Sequence, residues 1–216
     1  MKRYVVWFWL LALNAQATDW HRLYGEGMRF DVVRNGEDVG DYRISFHQQG
    51  EEWHITSGME MSISVFLLFT FNYHYEAKEI WQNNLLRQLA VKESRNGKTL
   101  LLKARAENQR LVGEGQSGPL NVRLPILTTS HYNSAVLTGS QVLNTLTGEV
   151  NHYALKPMKK ELVNTNKGLV MASRFRYEGQ LDDTEVWYTP EGHWVRLWFK
   201  GDDGSDIEFR CVQCIQ

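Results

Sequence analysis

The sequence predicts an all-β protein: an antiparallel meander of about a dozen strands forming a half-barrel, barrel or sandwich, with at most one short helix. Three observations predict it. Apolar residues recur at every second position along most of the chain, the period of a half-buried strand. Turn signals such as Asn-Gly and Asp-Gly separate these stretches at short intervals. No long stretch of helical period follows the first segment.

That first segment is an address. Lys2 and Arg3 precede a ten-residue apolar run, Tyr4 to Leu13, and then Asn14-Ala15-Gln16-Ala17. A charged start, an apolar stretch and an A-x-A site form a signal peptide, and ten residues fall short of the about twenty that a spanning helix needs. The expectation is cleavage after Ala17, export to the periplasm, and a single β-rich domain over 18–216 that does not span the membrane. An uncleaved anchor is the competing reading of the same segment.

The strands follow in order. Met28 to Val32 alternates and ends on the hairpin signal Asn35-Gly36. Tyr42, Ile44 and Phe46 share one face of the next strand, Gln49-Gly50 turns the chain, and Trp53, Ile55, Met59 and Met61 continue it. Val65 to Phe69 is apolar throughout and reads either as a buried strand or as a membrane-facing lip. Phe71, Tyr73 and Tyr75 share a face on a strand that runs to Trp81. Asn83-Asn84 and Asn96-Gly97 bound the next two strands. Gly113, Gly115, Gly118, Pro119 and Pro125 break regular structure, and residues from Asn133 to Leu137 form the one short helix. Strands resume near Gln141, separated by turns at Thr147-Gly148, Asn166-Lys167-Gly168, Asp182-Asp183, Pro190-Glu191-Gly192 and Asp202-Asp203-Gly204.

Composition narrows the function. The chain has 24 Lys+Arg against 25 Asp+Glu, a formal net charge of −1, so it lacks the basic field that nucleic acid requires. Two cysteines exclude a disulfide-framed mini-protein. Cys211-x-x-Cys214 ends a strand rather than opening a helix, so a small structural disulfide ranks ahead of free thiols, and redox catalysis ranks last. The seven histidines are scattered. His74 and Glu76 share a strand face that Glu79 does not, which makes a poor metal site, and no cofactor-binding motif is present. His131 lies in the irregular Pro-rich segment, flanked by Ser130 and Ser134, without a G-x-S-x-G elbow. A structural hydrogen-bonding role ranks ahead of catalysis there, and no catalytic residue is assigned. Asp202 to Asp206 has the composition of a calcium loop but lacks the distal Glu, and reads as a hairpin turn.

The last four strands have two faces by parity. One carries Phe175, Tyr177, Val186, Tyr188, Val195, Leu197, Phe199, Ile207 and Phe209, a core face. The other carries Arg174, Arg176, Glu185, Trp187, Trp194, Arg196, Trp198, Lys200, Glu208 and Arg210. Three tryptophans among basic groups admit two readings. Either Arg176, Trp187, Trp194, Arg196 and Trp198 face an amphipathic anion, or the face is a cross-strand ladder of cation–π and ion pairs that needs no ligand.

Asn35-Gly36-Glu37-Asp38-Val39-Gly40, Glu79-Ile80-Trp81 with Asn84-Leu85 and Asn96-Gly97, Val186-Trp187-Tyr188, Gly192-His193-Trp194-Val195 and Asp203-Gly204-Ser205-Asp206-Ile207 occur in that order. Over residues 28 to 210 the chain resembles a family of uncharacterised exported bacterial proteins, a domain of unknown function. The resemblance implies an all-β fold and an envelope location, with envelope β half-barrels as the nearest analogy, and it assigns no catalytic residue. Together these features give an expected periplasmic protein that binds or carries an amphipathic envelope molecule such as a lipid. The alternatives are a structural or interaction protein that docks an envelope protein partner, and an enzyme centred on His131.

Overall fold

A computed structural model describes residues 18–65 and 69–216. The leader expected over residues 1–17 lies outside the described residues, as does the centre of the apolar run between Val65 and Phe69. The first half of the chain forms eight strands, each paired with its predecessor: β1 (Gly27–Arg34), β2 (Glu37–Gln49), β3 (Glu52–Val65), β4 (Phe69–Gln82), β5 (Leu85–Arg95), β6 (Lys98–Glu107), β7 (Arg110–Gly115) and β8 (Gly118–Arg123). The second half adds β9 (Leu127–Thr128), β10 (Gln141–Leu143), β11 (Val150–Pro157), β12 (Glu161–Thr165), β13 (Gly168–Gly179), β14 (Thr184–Tyr188), β15 (Trp194–Lys200) and β16 (Asp206–Gln213). The sheet runs β8 to β1, then β16, β15, β14, β13, β11, β10 and β9, with β12 paired on β13 off this path. The pairing of β1 with β16 therefore joins the two ends of the described chain.

The fold is all-β and barrel-like without closing. Its pairings are antiparallel except β9 with β10, which run parallel. Hairpin turns form where Asn-Gly and Asn-Asn were read: Asn35 and Gly36, Asn83 and Asn84, and Asn96 and Gly97 all take positive φ, the twist that a tight two-residue hairpin demands. Residues near Asn133 form a short 3₁₀ helix, Ser134–Thr138, as the helical expectation placed them. A second short helix, α1 (Trp20–Tyr24), stands before the first strand, with Asp19 accepting the Arg22 N–H as its N-cap.

The core lies on the inner face of the curled sheet. Phe30, Ile44, Phe46, Trp53, Ile55, Ala77, Leu86 and Leu89 alternate into it. The helix α1 fills the end of the interior beside the β2–β3 turn. There Trp20 meets Trp53, Trp81 and Tyr132 edge-on, and Tyr24 stacks on Phe46. Tyr24 also donates to the Tyr132 carbonyl at 2.9 Å, so α1 is bolted to the 129–133 loop. Among the described residues no helix fills the other end of the interior, and the cleft described next lies there.

One face assignment changes. The β14–β15 register slips between Trp187 and Tyr188, so that Trp187 pairs with Arg196 but Tyr188 pairs with Trp194. The extra residue of this bulge turns Trp194 inward, against Phe30, Tyr42 and Phe209, and leaves it buried. Val195 moves to the outer side, where it is buried beside the inward-facing Val163 of β12. Trp194 thus leaves the polar face on which parity had placed it, and Val195 leaves the core face.

Candidate functional site: a cleft inside the sheet

The open end of the interior holds a cleft of about 230 Å³. Tyr42, Met59, Tyr73 and Tyr75 line one side and Trp194, Leu197, Phe199 and Phe209 the other, the two sides meeting where the Tyr42 ring lies 6.1 Å from Trp194 and 5.1 Å from Phe209. Strands β2 to β4 supply the first set at alternate positions, and β15 and β16 supply the second. Met59, Leu146, Leu181 and Phe199 are only half-buried, so the cleft reaches solvent. Its polar groups are few. The Tyr75 hydroxyl donates to Thr145 Oγ1 at 2.9 Å, and Thr145 Oγ1 lies 3.1 Å from Thr129 Oγ1. Burial pushes the Tyr42, Tyr73 and Tyr75 phenols up, so they are neutral donors at any physiological pH.

His131 stands on the loop edge of this cleft. Its ring lies near Tyr177 and Trp194, its Nδ1 is 3.4 Å from the Tyr177 hydroxyl, and its carbonyl accepts from Tyr188 at 2.6 Å. Desolvation lowers the imidazole to about 4, which makes it neutral at neutral pH. The loop is held by Glu79, buried on the inner face of β4. Its carboxylate accepts from Trp81 Nε1 at 2.7 Å, Ser130 Oγ at 2.7 Å, Tyr132 OH at 2.6 Å and Thr128 Oγ1 at 3.2 Å. A buried carboxylate is tolerated only when so satisfied. Ser130 is therefore spent on Glu79, and the side-chain partner of His131 among the described residues is Tyr177 rather than a carboxylate. His74 and Glu76 point the other way, toward Glu60 and Lys78.

Arg176, Trp187, Arg196 and Trp198 come together around a depression of about 680 Å³ on the outer face of β13 to β15. Trp194, the fifth residue singled out with them, is on the other side of the sheet. Each guanidinium there already holds a carboxylate. Arg174 and Arg176 both grip buried Glu185, with Arg176 Nε at 2.8 Å, and Arg174 reaches Glu161 at 2.7 Å. Arg196 and Arg210 share Glu208, at 2.7 and 2.8 Å. The Arg174 and Arg196 guanidinium carbons lie 5.2 and 4.7 Å from the Trp187 ring, and the Trp187 Nε1 donates to Glu161 at 3.1 Å. Burial raises the Glu161 carboxyl, but the Arg174 and Trp187 hydrogen bonds outweigh it and hold the group below its usual range. Trp198 carries Lys200 over its ring at 5.7 Å. Geometrically this is the cross-strand ladder: paired cations stacked on indoles.

Cys211 and Cys214 are joined as a disulfide. At the end of this loop the Cys214 and Ile215 N–H groups donate to Asn166 Oδ1 at 3.1 and 3.2 Å, while Asn166 Nδ2 donates to the Ile215 carbonyl at 2.7 Å. The pair thus anchors the β12–β13 turn to the C-terminal strand. Sequence reasoning missed the 129–145 side of the cleft because Thr129, Thr145 and Leu146 lie on loops without period. The alternation of Phe71, Tyr73 and Tyr75 was the available signal for the opposite wall.

The chain belongs to the DUF6134 family, a domain of unknown function, whose model matches residues 30–212. Among solved structures it is similar to a beta-barrel-like protein of the domain of unknown function DUF1849 from Brucella abortus. That likeness has 10% identity, covers 90% of this chain and 98% of that one, and has a TM-score of 0.61. It shows the shared barrel-like fold. No curated protein matches this sequence.

Proposed function

We propose that this protein is exported to the periplasm and binds or carries an amphipathic envelope molecule, a lipid by class, with the apolar part of the ligand in the inner cleft. The observation that carries the reading is a cleft lined by aromatic and aliphatic side chains from β2–β4 and β15–β16 that the side chains of the described residues leave open. Ligand sites are concave, mostly apolar, and marked by a few convergent polar groups, here the Tyr75–Thr145–Thr129 chain and His131. At about 230 Å³ the cleft is smaller than the roughly 300–1,000 Å³ of sites that enclose a whole ligand. Part of a chain or ring enters it, and a polar head stays outside.

The outer depression suits an anionic ligand less well, because a headgroup would have to displace Glu185 or Glu208 from a bonded guanidinium. It favours the second reading, a structural or interaction surface, since half-buried Trp198 remains partly available to an envelope protein partner. Native mass spectrometry of protein purified from its own host separates the two. A copurified small amphiphile of defined mass supports carriage, and a stoichiometric copurified protein supports docking. A bare chain under conditions that preserve known lipid complexes contradicts carriage.

A further inference from the structure

The β12–β13 hairpin stands off the main path of the sheet and has two unlike faces. Val163, Thr165 and Ala172 turn inward and are buried. Leu162 pairs with Met171, and Asn164 with Leu169, so Leu162, Leu169 and Met171 share the outward face. They are 59%, 67% and 48% exposed, and of the large apolar side chains left this open among the described residues only Leu101 lies elsewhere. Lysines bracket the strip: Lys159 and Lys160 precede β12, and Lys167 sits in the turn. All three are exposed, and among the described residues none forms an ion pair. The arginines a few residues away on the outer sheet are, by contrast, each paired with a carboxylate.

We propose that this hairpin face is a docking surface for an anionic phospholipid bilayer. An aliphatic strip flanked by free lysines is the composition of interfacial membrane binding, in which apolar side chains enter the headgroup boundary and lysines meet anionic lipid. A protein partner fits less well, because interface cores favour aromatic residues and arginine and are depleted in lysine. The hairpin is also held firmly enough to carry load, through the Asn166 bonds to the disulfide-closed loop. The proposal is independent of cleft occupancy.

The test is co-flotation of the purified full chain with vesicles of phosphatidylcholine alone or mixed with phosphatidylglycerol. Binding is expected only with phosphatidylglycerol, weakening as salt rises. Each lysine replaced, in K159Q, K160Q and K167Q, is expected to lower partitioning by about fivefold. The double variant Leu162→Ser, Leu169→Ser is expected to lose flotation while melting like the parent, since both side chains point outward. If the serine variant fails to fold, the glutamine series and the salt series decide alone. The cleft-filling variant Met59→Trp is expected to float normally, which separates this surface from the cleft. No flotation with phosphatidylglycerol, equal binding to neutral vesicles, or glutamine variants that float like the parent would overturn the proposal. So would self-association in solution that Leu169→Ser abolishes, because a second copy would then be the occupant.

Discussion

The inner cleft and the outer ladder lie on opposite sides of the same strands. Leu197 and Phe209 face in, while Arg196, Trp198, Glu208 and Arg210 alternate with them and face out. Both surfaces are rich in aromatic rings, yet they differ in what remains unsatisfied. Outside, every arginine on β13 to β16 named above has a carboxylate or an indole, and often both. Inside, apolar side chains line a cleft that the described residues leave open. Aromatic and basic residues interleaved on a strand therefore do not by themselves make a binding site. What matters is whether the chain itself supplies the partners.

Three experiments break or sharpen that contrast, those of largest expected effect first. The largest concerns the clamp behind the cleft. Glu79→Gln leaves donors from Thr128, Ser130, Trp81 and Tyr132 competing for a single carbonyl, and is expected to lower stability by about 3–5 kcal/mol in chemical denaturation. A change under 1 kcal/mol would show that the loop is held by something else. Next, Trp194→Ala is expected to cost about 3–5 kcal/mol, as for other buried aromatics, while Trp198→Ala on the outer face costs under about 1 kcal/mol. Equal melting temperatures for the two variants would mean that the bulge does not place Trp194 inside.

The third effect is smaller and depends on pH. His131 falls from 6.5 to about 4 on folding, so between those values the unfolded chain takes up a proton that the native chain refuses. Stability should decline as pH drops through this window, by on the order of 1–3 kcal/mol, and level off below it. Burial also lowers His193, so His131→Gln should reduce the slope without abolishing it. A pH–stability profile identical in parent and variant would contradict an enclosed, neutral His131.

Much of the fold was legible because strand periodicity is a local signal. The inward positions Tyr42, Ile44, Phe46, Trp53 and Ile55 follow from alternation alone, and the Asn-Gly pairs mark their own turns. Parity failed at Trp194 because a bulge depends on the partner strand, not on the strand that carries the residue. The α1 helix was missed because five residues, Trp20–Tyr24, are too few to show a 3.6-residue period. The candidate site was the least legible. Glu79 meets Ser130 and Tyr132 about fifty positions away, and the two walls of the cleft come from β2–β4 and β15–β16, which sequence alone cannot align. The structural disulfide ranked first from Cys211-x-x-Cys214 is present, but its role in gripping Asn166 has no sequence signature.

The central claim is that the ligand enters the sheet rather than resting on the ladder. Its most direct test is copurified ligand per chain, measured by native mass spectrometry for the parent, Met59→Trp, Arg196→Ala and Trp198→Ala expressed in the native host. Met59→Trp adds an indole at the half-buried wall of the cleft and is expected to lose most of the ligand at an unchanged melting temperature. Arg196→Ala and Trp198→Ala are expected to keep it. The opposite pattern, with ligand retained in Met59→Trp and lost in the two outer-face variants, would contradict the account.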